Sequence, residues 1–462
     1  MTQLRLPIAI VTEEPPSIRP ALESLLASDL GFHRHGSNHA SHTMHAFPAK
    51  FPPQLPRLFI EQLTRPGDLV LDPMMGSGTT LVEALLAGRR AVGLDIDPLA
   101  LRLSAAKTTA LDTAAVSQAG SSVIHTAQHA LVHDRAALEA DLARRFDSTT
   151  RSFLDYWFSP RTQLELAALI RAIELVPDPG VREFLELAFS AIIITKSGGV
   201  SLARDLAHTR PHRVLDKTHR PAIAEFRKRL EKNISGLVDI PPAAQPVTPL
   251  SASAERMPLA ADSVDLLITS PPYASNAIDY MRAHKFSLVW LGRPLDELSA
   301  LRRRYIGGES IVGAQLLPLP ARTADMVNRI TRLDRKKGNA LWRYYSEMTR
   351  VLAESLRVIK PGKAAIFVVG SSTMRGVDTQ THLCLGEIGQ TLGFDLVGIG
   401  RRALDRDRRM MPARNTPARR TQIEERMHEE YVIAFVKPPS PAVGECLIGA
   451  RLCPTPHSVL QW

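Results

Sequence analysis

The sequence predicts an α/β domain with a doubly wound sheet, interrupted by a helical insert, and three observations carry that reading. Asp68-Leu69-Val70-Leu71 runs through a Gly-rich stretch into Leu81-Val82-Glu83-Ala84-Leu85-Leu86, the order strand, turn, helix. Arg90-Ala91-Val92-Gly93-Leu94-Asp95 then completes a β-α-β unit as a short apolar strand ending in an acid. From about 114 to 237 the alternation stops, and 162–176 and 181–195 carry apolar residues at i, i+3, i+4 spacing, so this region reads as helical. Alternation returns with Ser263-Val264-Asp265-Leu266-Leu267-Ile268-Thr269, a helix over 342–358, and strands over 364–369 and 431–436.

Linker composition, rich in Pro and Ala, marks 238–249, and a tail follows Pro438. The expected organisation is an N-terminal extension (1–45), a first catalytic half (46–113), a helical insert (114–245), a second catalytic half (246–437) and a C-terminal tail (438–462). A chain of 462 residues exceeds what one core ordinarily supports, in keeping with an insert or second domain.

The formal net charge of +10 and an isoelectric point near 9.7 favour a polyanionic partner, nucleic acid ahead of a membrane surface. Cys384, Cys446 and Cys453 are too few for a disulfide framework and lack the paired spacing of a zinc site. With apolar stretches too short for a signal peptide or a membrane span, the expectation is an unanchored protein of the reducing cytoplasm. The histidines at 33, 35, 39, 42 and 45 stand without a Cys or carboxylate framework, so no metal is expected.

Two constellations carry chemistry. Asp72-Pro73-Met74-Met75-Gly76-Ser77-Gly78-Thr79-Thr80 sits at the carboxyl end of a strand, where a doubly wound sheet binds its ligand. It is not Gly-x-Gly-x-x-Gly and lacks the Gly-Lys-Ser/Thr ending of a phosphate loop. With Asp95 ending the next strand as an acceptor for ribose hydroxyls, the pair suggests a nucleoside-bearing cofactor that needs no pyrophosphate. The second is Thr269-Ser270-Pro271-Pro272-Tyr273, directly after an apolar strand. Consecutive prolines fix φ and remove two donors, leaving carbonyls to accept. A hydroxyl before them and a ring after them form a clamp for an amino group on a base.

These two motifs resemble the cofactor and catalytic motifs of the amino-methylating DNA methyltransferases. His45-Ala46-Phe47-Pro48-Ala49-Lys50-Phe51-Pro52, Asp279-Tyr280-Met281-Arg282-Ala283-His284-Lys285 and Arg357-Val358-Ile359-Lys360-Pro361-Gly362 extend the resemblance. It implies a class I S-adenosylmethionine-dependent, Rossmann-like fold with S-adenosylmethionine as cofactor and DNA as partner, and it allows a cognate restriction endonuclease. Phe47, Asp72, Pro73, Gly76, Ser77, Gly78 and Thr79 would line the cofactor pocket and Asp95 would hold the ribose. Ser253 stands where many relatives place an Asp that contacts the adenine. Ser270, Pro271, Pro272 and Tyr273 would hold the flipped base. In the family a leading serine is more typical of cytosine N4 methylation, and Asp-Pro-Pro-Tyr of adenine N6 methylation. Adenine N6 is the alternative, together with an RNA guanine N2 methyltransferase suggested by Met74-Met75; a non-catalytic nucleic-acid-binding protein is disfavoured by the intact motifs.

A cytosine C5 enzyme needs a nucleophilic Cys, usually after a proline, and no cysteine here follows one. Basic, turn-rich sequence marks the insert as a DNA contact, with Arg204, Arg210, Arg213 and Lys217 as its candidates. Arg302-Arg303-Arg304 and the Arg-rich stretch 401–420 are further candidates.

Overall fold

A computed structural model describes residues 18–33, 36–48, 50–195, 198–204, 211–241, 245–274, 279–308, 310–370, 372–404 and 429–439. The tail 438–462 is thus almost wholly outside the described residues, as are Arg210, Cys446 and Cys453.

Seven strands form the central sheet: β1 (Leu69–Asp72), β2 (Arg90–Asp95), β3 (Val247–Ser251), β4 (Val264–Thr269), β5 (Ile359–Gly370), β6 (Asp395–Ala403) and β7 (Glu429–Val436). Their order is β6-β7-β5-β4-β1-β2-β3. β3, β2, β1, β4 and β5 are parallel, and β7 is antiparallel to both neighbours. This is the class I methyltransferase sheet. Chain direction reverses its spread between β1 and β4, which opens a crevice at their carboxyl ends.

A pleated strand sends alternate side chains to opposite faces. Val70, Leu266, Ile268, Ile366, Val368, Val432 and Ala434 pack beneath helices Arg19–Ala27, Gln54–Leu63 and Thr79–Leu86. Leu71, Leu267, Phe367, Ile433 and Phe435 face helices Ala321–Leu333, Arg335–Val358 and Thr381–Leu392. Helices on both faces explain why β4 is buried along its whole length and carries Leu266-Leu267-Ile268 without alternation.

The region between β2 and β3 is helical, as expected, with Thr113–His133, Pro160–Glu174, Pro179–Ile193 and Ala222–Ser235 in one core that continues onto helix Tyr280–Leu288. Asp112, Ser159 and Asp178 cap the first three of these helices through side-chain acceptors, and Asp147 does the same for the neighbouring helix Ser148–Trp157. A two-stranded ribbon, Ala203–Arg204 against His212–Arg213, interrupts the helices.

Residues 238–249 are not all linker, since Val247–Ser251 is edge strand β3, pairing in parallel with β2 despite Pro249. The Arg-rich stretch from 401 begins inside the sheet: Arg401 and Arg402 belong to β6 and pair with Glu429 and Glu430 of β7. Arg402 is only 3% exposed, so it is a buried ion-pair partner and not a DNA contact.

Candidate active site

The Gly-rich loop is pinned to the end of β2. Met75 N donates to Leu94 O at 3.0 Å, Gly76 N to Asp95 Oδ2 at 3.0 Å, and Gly78 N to Met75 O at 2.8 Å. Gly76 (φ +46°) and Gly78 (φ +71°) lie in the left-handed region, where a side chain is strained. A Cβ on Gly76 would stand 3.3 Å from the Phe47 ring, and one on Gly78 would collide with Ser104 at 2.5 Å. The loop therefore keeps its backbone bare toward Phe47. Behind it, Lys107 is fully buried and donates from Nζ to Ser77 O at 2.6 Å, a support that no motif announced.

Asp72 ends β1 and accepts from Thr269 Oγ1 at 2.7 Å, which ties the cofactor motif to the residue before Ser270. Burial pushes the Asp72 carboxyl up to about 6, against the opposing Thr269 hydrogen bond. Asp95 is half-buried and also accepts from Asp97 N at 2.9 Å. Burial, reinforced by the Asp97 carboxylate, pushes it up to about 7. Ser253 lies just beyond β3, whose Ser251 pairs with Asp95, and its Oγ accepts from Glu255 N at 3.2 Å. Pro73, Ser77 and Thr79 are buried in the same turn, with Ser77 Oγ and Thr79 Oγ1 3.0 Å apart.

Phe47 stacks on Tyr280 with centroids 5.0 Å apart and also faces His284 at 5.3 Å. His284 Nδ1 donates to Asp97 Oδ2 at 2.6 Å, and Tyr305 OH donates to the same oxygen at 2.7 Å. Asp97 Oδ1 meanwhile caps helix Pro98–Thr108. The upstream and downstream stretches of the sequence thus meet on the cofactor side. The Asp97, His284 and Tyr305 cluster was not singled out in the sequence, because its members lie far apart along the chain.

Ser270 follows β4 and donates from Oγ to Val368 O of β5 at 3.1 Å. That leaves the hydroxyl lone pairs to accept. Tyr273 is 8% exposed and donates to Glu430 Oε1 at 2.8 Å. Burial first, then the Glu430 charge, holds the phenol well above its ordinary range, so it stays a donor. A base can stack on this ring only if neighbouring side chains move aside. The sequence offered no role for Glu430, and offered Arg402 only as a DNA contact.

In the insert, Arg204 and Arg213 are exposed on the two strands of the ribbon, Arg204 opposite His212 and Arg213 opposite Ala203, with the Arg213 guanidinium 4.3 Å over the Tyr156 ring. Lys217 is differently placed: Nζ donates to Gly199 O, Ser201 O and Ala203 O at 2.7, 2.5 and 3.0 Å. All three N–H bonds are engaged, which makes it a cross-link of the ribbon. Cys384 is fully buried on helix Thr381–Leu392, and burial pushes its thiol up, so it is not a nucleophile. The histidines do have a carboxylate partner, contrary to expectation: Glu83 accepts from His39 Nε2 and His42 Nε2.

The sheet order and the loop-plus-acid geometry define a class I methyltransferase fold. A family profile described as DNA methylase matches residues 29–106. The type II methyltransferase M.MvaI of Kocuria varians is 26% identical over 411 residues, covering 84% of this chain and 89% of that protein. M.BsoBI of Geobacillus stearothermophilus is 23% identical over 414 residues, with 78% and 80% coverage, and M.BglI of Bacillus subtilis is 50% identical over 56 residues, with 12% and 16%. Over most of its length the chain is thus similar to type II DNA methyltransferases, and the cofactor that the resemblance of its motifs implies is S-adenosylmethionine. The residues fit that group: a bare Gly76 backbone faces an aromatic wall, and an acid ends β2 where ribose hydroxyls need an acceptor.

Proposed function

We propose that the protein methylates the exocyclic N4 of cytosine in DNA, acting on a base rotated out of the helix. The observation that supports this most is the Ser270 hydroxyl, whose proton is engaged by Val368 O while its lone pairs are left to accept from an amino group. An exocyclic amino nitrogen is a weak nucleophile because its lone pair is delocalised into the ring. Acceptors at Ser270 Oγ and the Pro271 carbonyl restore its pyramidal geometry and orient that lone pair, with positioning and electrostatics supplying the acceleration. Bound S-adenosylmethionine supplies an electrophilic methyl group on a sulfonium. Phe47 and the Gly76 backbone would wall its pocket, Asp95 would accept from its ribose hydroxyls, and Ser253 would stand on the adenine side.

Asp72 and Thr269 fix the separation of the two motifs, since their 2.7 Å hydrogen bond joins β1 to β4 at the crevice. No cysteine acts covalently in this scheme. Rotating the base out of the stack costs a few kcal/mol, offset in part by contact with Tyr273 and Pro272. The insert, through Arg204 and Arg213, contacts DNA phosphates. Sequencing modified bases in DNA from a host that expresses the chain tests this reading: N4-methylcytosine at a defined site supports it, and transfer confined to RNA overturns it.

A further inference from the structure

Three side chains outside the methyl-transfer site converge in a way that site does not use. His39 Nε2 lies 2.8 Å and His42 Nε2 2.6 Å from the same oxygen, Glu83 Oε1. One donor atom from each residue lies within 4.8 Å of the others. Glu83 has a side chain with no solvent exposure, His42 is nearly buried at 3%, and His39 is 34% exposed. Glu83 Oε2 and His42 Nδ1 are buried with no hydrogen-bond partner.

A buried carboxylate engaged through one oxygen, with the other orphaned, is costly unless a positive charge compensates it. From these contacts we propose that His39, His42 and Glu83 form a binding site for a divalent cation of the zinc class. Two imidazole nitrogens and a carboxylate make a borderline N/O donor set of the kind zinc takes, and Glu83 Oε2 is available to a bound ion. His39, on the exposed side, leaves room for a water as a further ligand. The present separations are hydrogen-bond lengths. Around an ion with bonds of ~2.0–2.1 Å tetrahedral donors stand ~3.3 Å apart, so both imidazoles draw back from Glu83 Oε1 by roughly 0.5–0.7 Å, small side-chain rotations of His39 and His42.

The ion joins two pieces of the cofactor pocket. Glu83 lies on helix Thr79–Leu86, directly after the Gly-rich loop, while His39 and His42 belong to the segment leading to Phe47. That segment is anchored independently, by Ala40 N on Asp239 Oδ2 at 3.1 Å and Ser41 Oγ on Lys107 O at 2.9 Å. Removing one imidazole therefore leaves the fold in place.

The test uses full-length, tag-free protein stripped with chelator and titrated with zinc against a chromophoric competitor, with cobalt(II) as a spectroscopic stand-in. Expected are about one tight equivalent and a cobalt spectrum of nitrogen and oxygen ligands. His39→Ala and Glu83→Gln should each weaken binding more than about tenfold, while His125→Ala, on an exposed helix surface, should not. Zinc should raise the melting temperature of the parent protein but not of His39→Ala. Equal zinc affinity in the parent and His39→Ala, or no tight equivalent in either, overturns the site and leaves a hydrogen-bonded cluster.

Discussion

The Tyr273 hydroxyl donates to Glu430 Oε1 at 2.8 Å while Glu430 Oε2 accepts from Arg402 at 2.6 Å, so the turn from Ser270 to Tyr273 is moored to the two antiparallel strands at the sheet edge. Tyr273→Phe removes one hydrogen bond but keeps the Glu430 and Arg402 pair, and should cost about 1 kcal/mol in denaturant unfolding. Glu430→Ala strands a buried guanidinium and should cost about 3–5 kcal/mol. Similar small losses in both variants would show that Arg402 does not depend on Glu430.

Asp95 predicts a pH dependence of cofactor binding. Its carboxyl rises from 3.8 to about 7 on folding, so the protonated acid is favoured in the native state. Its contribution to stability is complete below 3.8 and is lost as pH rises to about 7. Cofactor binding has the opposite sign, because the ionised acid is the better acceptor for ribose hydroxyls. Calorimetry should show S-adenosylmethionine binding tighten as pH rises through about 7 and flatten in Asp95→Asn. An unchanged profile in the variant contradicts the role of Asp95.

Ser270→Ala should lower turnover by about a hundredfold while leaving S-adenosylmethionine affinity nearly intact, since the hydroxyl acts on the amino group. Cys384→Ser should retain activity in the folded fraction. A folded but inactive Cys384→Ser protein would be evidence against the non-covalent scheme.

For the insert, replacing Arg204 and Arg213 with Ala should weaken DNA binding and reduce the slope of log affinity against log salt by about 0.9 for each phosphate that is no longer neutralised. Lys217→Ala should instead loosen the ribbon, with a lower melting temperature and an unchanged slope.

The elements legible in the sequence are those whose signal is local. β2 is bounded as read, and β1, β4 and the two motif loops need only their own residues to be recognised. β3 escaped because Pro249 and its Pro- and Ala-rich approach look like linker, and an edge strand tolerates proline on its open side. β6 escaped because Gly398, Gly400, Arg401 and Arg402 look polar and irregular. Those glycines let Leu26 of helix Arg19–Ala27 pack on the strand, and Arg402 turns inward to Glu430. The site divides the same way: contiguous Ser270 to Tyr273 were visible, whereas Glu430, His284, Tyr305 and Glu83 join their partners only through the fold.

The central claim, amino methylation of cytosine by the Ser270 clamp, is tested most directly by digesting DNA that the purified protein has methylated with labelled S-adenosylmethionine. The predicted labelled nucleoside is N4-methylcytosine, with no 5-methylcytosine, and the label is lost in Ser270→Ala. Label found solely in N6-methyladenine contradicts the cytosine assignment, and label in 5-methylcytosine contradicts the mechanism itself.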